Sequence, residues 1–152
     1  MKKVIVLITL ALCLSFTMKA QEYKTSLGLR AGVPYGLTIK HFISKSNAVE
    51  GILASRWQGF VATVLLENEH WTGNYPGLNW FWGLGAHVGF WDNNPYVSTT
   101  GGVIGLDGIL GLEYTFDEIP LNLSLDVLPT LNIFGSTGWG GINGALSIRY
   151  VF

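Results

Sequence analysis

From residue 21 onward the chain carries sixteen charged side chains, and an alternating pattern keeps all of them off one of its two faces. Nine sit on the polar face of alternating stretches: Arg30, Lys40, Glu50, Arg56, Glu67, Asp107, Glu113, Asp126 and Arg149. The other seven, Glu22, Lys24, Lys45, Glu69, Asp92, Asp117 and Glu118, fall at the start or in turns. Period-two alternation is the signature of a β-strand with two unlike faces. Eight such stretches are read here, at 24–33, 37–43, 48–57, 60–67, 78–91, 102–116, 119–134 and 142–152. The segments between them carry turn residues, such as Pro34-Tyr35-Gly36, Gln58-Gly59 and Asp117-Glu118. The longest connections are expected at 68–77 and 92–101. Pro129 falls inside the seventh stretch without shifting its phase, which predicts a bulge or a rim position there.

Charged residues make up 12% of the chain, about half the usual share for a soluble domain. Yet no stretch after the first twenty residues is long and apolar enough for a spanning helix, which needs about 20 residues. A closed β-barrel is the other structure that satisfies its backbone polar groups in lipid. The expected fold is therefore all-β: an eight-stranded antiparallel up-and-down transmembrane barrel. The first twenty residues read as a signal peptide. Met1, Lys2 and Lys3 precede an apolar run from Val4 to Phe16, and cleavage is expected after Ala20. The alternative, lipoprotein processing before Cys13, is disfavoured by the bulk of Leu12. Residues 21–152 then form one domain. Cys13 is the one cysteine, so no disulfide is expected in that domain.

A charge-free face suits lipid, because a Lys or Arg at mid-bilayer costs about 2–4 kcal/mol. The charged face then lines the lumen, with Gly28, Gly32, Gly83, Gly85, Gly89, Gly105 and Gly111 leaving room for long side chains. Four basic and five acidic residues point inward on this reading, near balance. Buried charges need partners, so a salt-bridged plug is expected rather than an open pore. Aromatic residues gather near the strand ends, as an interfacial girdle requires. Trp80, Trp82, Tyr114, Phe116, Tyr150 and Phe152 would mark one rim, and Trp57, Phe60 and Phe90 the other.

Chemistry is sparse. Of three histidines, His41 falls late in the second stretch, His70 in a turn, and His87 points inward. Asp107 is expected opposite His87, a pairing that can orient an imidazole. No serine is placed beside it, so His87 is read as a member of the lumen network. Asp107, Glu113 and Asp126 lack the His and Cys spacing of zinc sites. No metal, cofactor or catalytic residue is expected, and the absence of a basic patch argues against nucleic acid as a partner.

The last stretch, WGGINGALSIRYVF, and the segments SNAVEGILASRW, NWFWGLGAHVGFW, GVIGLDGILGLEY and LSLDVLPTLNI resemble small eight-stranded outer-membrane barrel proteins, of the OmpA transmembrane-domain or OmpX type and Bacteroidota-like. The resemblance covers residues 21–152. It implies a place in the bacterial outer membrane, with lipid and the barrel-assembly machinery as partners and a surface ligand still to be named. It also implies that Leu146, Ile148, Tyr150 and Phe152 serve as the insertion signal. Larger members append a peptidoglycan-binding domain, which is not expected here. The function implied is structural or surface-interacting, without catalysis. The alternatives are a barrel enzyme acting on outer-membrane lipid, a small pore, and a ligand-binding barrel.

Overall fold

The computed structural model describes residues 24–56, 59–91, 101–135 and 138–152. The expected signal peptide, Trp57 with the Gln58 turn, the 92–100 loop and the Arg56 side chain lie outside the described residues. Among the described residues eight antiparallel strands form a closed barrel in sequence order. They are β1 (Thr25–Gly32), β2 (Tyr35–Phe42), β3 (Asn47–Arg56), β4 (Gly59–Trp71), β5 (Leu78–Trp91), β6 (Gly101–Thr115), β7 (Leu121–Phe134) and β8 (Gly138–Val151). β8 closes the barrel on β1, from Ser26↔Val151 to Gly32↔Ala145. The strands are staggered. Following paired residues around the barrel from Gly28 leads through Thr38, Ile52, Thr63, His87, Gly105 and Asn132 to Gly138, whereas Gly28 itself pairs with Arg149. Such an offset makes the strands tilt, by about 35–45° for a barrel of this size.

The two faces separate as the alternation requires. Leu29, Leu66, Leu84, Leu125 and Ile142 point outward, each more than 60% exposed. Lys40, Glu50 and Arg149 point inward and are fully buried. An interior apolar cluster of Ile52, Ala54, Leu65, Phe81, Ile109 and Leu128 separates two polar regions of the lumen.

Four boundaries differ from the sequence reading. β8 begins at Gly138 rather than at 142, because Gly138, Trp139 and Gly141 pair with Asn132, Leu131 and Thr130. β2 begins at Tyr35, so the turn shrinks to Val33 and Pro34, because Tyr35 and Gly36 pair with Ser55 and Ala54. β7 begins at Leu121, and the expected Asp117-Glu118 hairpin is a wider turn of residues 116–120. Pro120 cannot donate a ladder hydrogen bond, and its carbonyl accepts one from the Val151 N–H instead. β4 continues past Glu67 to Trp71. Asn68 Nδ2 donates to Asn47 Oδ1 at 2.6 Å, and the Glu69 N–H donates to the Ser46 carbonyl at 2.7 Å. On the other side Glu69, His70 and Trp71 pair with Phe81, Trp80 and Asn79. Glu69 and His70 are therefore strand residues, not turn residues.

Pro129 does lie beside a bulge. The β7–β8 register slips between Thr130 and Leu131. The aromatic rims also form. At the end carrying both termini, Tyr114 meets Phe116 edge-on at 4.8 Å and Tyr150 meets Phe152 at 5.0 Å. Trp80 stacks on His70 at 4.6 Å. At the far end Phe60 lies 5.7 Å from Phe90.

Candidate functional site

Nearest the termini, two cations organise the lumen. Arg149 reaches inward from β8. Its Nη2 donates to Glu50 Oε1 at 2.6 Å, and its Nη1 donates to Ser124 Oγ at 2.9 Å and Asn122 Oδ1 at 3.2 Å. Thr38 donates its hydroxyl to the same Glu50 oxygen. Lys40 reaches inward from β2 and lies among three carboxylates. Its Nζ is 2.7 Å from Glu113 Oε2, 3.0 Å from Glu67 Oε2, and in contact with Glu69 Oε1. The ammonium also lies over the Phe81 ring, 4.5 Å from its centroid, a favourable cation–π geometry. Arg149 Nη1 is 3.9 Å from Glu113 Oε2, so the two clusters touch.

Deeper in the lumen Arg30 and Asp126 form a bidentate pair, at 2.7 Å and 2.5 Å. A planar guanidinium matches a carboxylate in this fork geometry.

The third group lies beyond the apolar cluster. The register sets Gly105 opposite His87 and Gly85 opposite Asp107. Asp107 is thus diagonal to His87 rather than directly opposite, and the two still meet. His87 Nδ1 lies 2.8 Å and 2.9 Å from the two Asp107 oxygens, and Nε2 lies 3.2 Å from Asn132 Oδ1. They border a pocket of about 50 Å³ whose other walls include Pro34, Thr63, Thr130, Gly140 and Asn143. Among the described residues no serine borders it. Among the described residues no group of three His, Cys, Asp or Glu is placed to hold a metal ion.

Nine lumen residues named from the sequence are thus brought into three connected groups: Arg30, Lys40, Glu50, Glu67, His87, Asp107, Glu113, Asp126 and Arg149. Glu69, expected in a turn, is a lumen residue. It carries the same phase as Val61, Thr63, Leu65 and Glu67, so extending that alternation two residues further would have found it. It adds a sixth acid to the five expected in the lumen: the described residues there are Arg30, Lys40 and Arg149 with Glu50, Glu67, Glu69, Asp107, Glu113 and Asp126, the Arg56 side chain lying outside the description. Phe81 was not singled out either. It is a bulky aromatic on an inward face rich in glycine.

The glycines have two uses. A Cβ on Gly105 would lie 2.5 Å from His87 Cε1, and one on Gly111 would lie 2.5 Å from Phe81 Cζ. These two make room for a side chain and also for the facing backbone, since the same Cβ atoms would meet the Leu131 carbonyl oxygen and lie 2.7 Å from that of Leu125. At Gly28 and Gly36 the nearest neighbours are all backbone atoms of the adjoining strand, so these two permit tight coiling rather than room for charged groups. Gly105→Ala is expected to push His87 off Asp107 and to strain the β6–β7 ladder at Leu131, whose carbonyl oxygen the new Cβ would also meet. The His87 imidazole NMR shifts should move, and the urea midpoint of the barrel should fall.

No family model and no curated protein matches the chain. Among solved structures the fold is similar to the crystal structure of the N-terminal β-barrel domain of Pseudomonas aeruginosa OprF. The two are 14% identical, with a TM-score of 0.67. The match covers 86% of this chain and 98% of that domain.

Proposed function

We propose that the chain is an integral outer-membrane barrel with a structural or surface-interaction role and no catalysis. The observation that carries this reading is the inversion of its two faces: isolated from any solvent argument, the exposed wall is leucine, isoleucine, valine and aromatic residues, and the buried interior is charged. A water-soluble barrel would reverse that arrangement. The OprF domain's shared fold supports the same placement. Residues 1–20 are the export signal on this reading, and Leu146, Ile148, Tyr150 and Phe152, all on the outward phase of β8, are what the assembly machinery reads. The filled lumen, with an apolar cluster above two ion-pair clusters, favours a plug over a conducting pore.

The test is fractionation of cells expressing the full chain, followed by gel electrophoresis with and without boiling. The protein should sediment with outer membranes and shift its mobility on heating. A product that stays soluble without detergent would overturn the reading. A substitution checks it locally. Leu84 is 64% exposed near the middle of β5. Leu84→Arg should cost the barrel about 2–4 kcal/mol in lipid vesicles, measured by urea unfolding, whereas in water it would cost little.

A further inference from the structure

β1 and β2 are eight residues long, while β5, β6, β7 and β8 have fourteen or fifteen. The strands are aligned at the termini end, where Thr25 pairs with His41, the Phe152 N–H donates to the Thr25 carbonyl, and Thr115 pairs with Asn122. The difference in length therefore appears at the far end. At about 3.3 Å per residue and about 40° of tilt, the β1–β2 wall is about 20 Å high, some 15 Å lower than the β5–β8 wall. The apolar band of such barrels is about 25 Å tall. The β1–β2 hairpin thus ends below the membrane surface, leaving a notch in the wall. β8 frames one side of it: its ladder with β1 stops at Gly32↔Ala145, with one further bond from the Val33 N–H to the Gly144 carbonyl, while the strand runs on to Gly138.

Two unlike surfaces meet at the hairpin. On the inner side Pro34 borders the His87–Asp107 pocket. On the outer side its neighbour Tyr35 borders a shallow depression of about 430 Å³, with Leu53, Ser55 and Phe60 around it and Gly36 and Ala54 beneath. Polar inside and apolar outside, with a low lip between them, is the complement of an amphiphile. The inner pocket has room for about three or four water-sized groups. Asp107 already meets His87 Nδ1, and acids outnumber bases among the described lumen side chains, so a second anion is disfavoured. Thr130, Asn132 and Asn143 offer both donors and acceptors, which suits neutral hydroxyls.

We propose that the β1–β2 notch is a lateral binding site for a neutral glycerolipid, its glyceryl hydroxyls in the His87–Asp107 pocket and its acyl chain in the depression beside Tyr35 and Phe60. This rests on the reading of the chain as a membrane barrel.

The experiment places the full chain in phosphatidylcholine nanodiscs and titrates it with 1-monooleoylglycerol, with glycerol and with oleate. The readout is NMR of the His87 ring and the Asn132 and Asn143 side-chain amides. Monooleoylglycerol should shift all three saturably, and the other two probes should not. Thr63→Trp, which fills the pocket, and Tyr35→Ala, on the outer wall, should each weaken binding by about tenfold or more. Tyr35→Ala alters only an exposed side chain, so it remains informative if Thr63→Trp does not fold. Equal shifts with glycerol alone, shifts with oleate only, no saturable shift, or unchanged affinity in Tyr35→Ala would each overturn the proposal. Failure to enter nanodiscs at all would instead overturn the membrane reading.

Discussion

Replacing Lys40 with methionine should destabilise the barrel by about 3–5 kcal/mol, the usual cost of leaving buried charge without its partner. The change keeps most of the side chain's volume and its packing against Phe81, so the loss is electrostatic. Three carboxylates converge on this ammonium, from Glu67, Glu69 and Glu113, and all are buried. Without it they face one another inside the lumen, with Arg149 as a more distant cation. Urea unfolding in detergent micelles or vesicles measures the loss. A compensated variant separates charge from packing: Lys40→Met combined with Glu67→Gln, Glu69→Gln and Glu113→Gln should recover most of it. If the single variant unfolds like wild type, the cluster is not the plug described here.

Arg149→Met should cost a similar amount, about 3–5 kcal/mol. It strands Glu50, which keeps only the Thr38 hydroxyl as a close donor among the bonds described above. It also removes bonds to Ser124 and Asn122, tying β8 to β7 less firmly. Because β8 is the closing strand, the loss should show as faster unfolding of the closed form. Adding Glu50→Gln should restore part of the stability but not the bonds to β7. Incomplete rescue here, against nearly full rescue at Lys40, is the expected contrast.

Much of this architecture is legible in the sequence because a barrel in lipid obeys one rule everywhere. Each residue's phase decides whether it faces a solvent that rejects charge or a lumen that accepts it. The phases of Arg30, Asp107, Asp126 and Arg149 follow from their neighbours alone. Boundaries are less legible, because turn residues such as Tyr35, Gly36 and Asn68 also pair when a longer neighbouring strand offers partners. Glu69 lies beyond such a boundary, in a stretch that pairs with β5. Partner choice is hidden for another reason. Arg30 and Asp126 are 96 residues apart, and their meeting depends on strand stagger, which alternation does not encode. The notch is likewise a matter of relative strand heights, set by stagger and length together.

The central claim is that the uncharged face meets lipid. It is tested most directly by attaching an environment-sensitive fluorophore to single cysteines at outward positions, in a Cys13→Ser background. Leu66, Leu84, Leu106 and Leu125 serve as mid-wall sites, and Tyr114 and Tyr150 as rim sites. In vesicles of lipids brominated at different depths along the acyl chain, the mid-wall sites should be quenched most by deep bromines and the rim sites by shallow ones. Absence of quenching at Leu84 and Leu106 in a folded, heat-shifting protein would contradict the account.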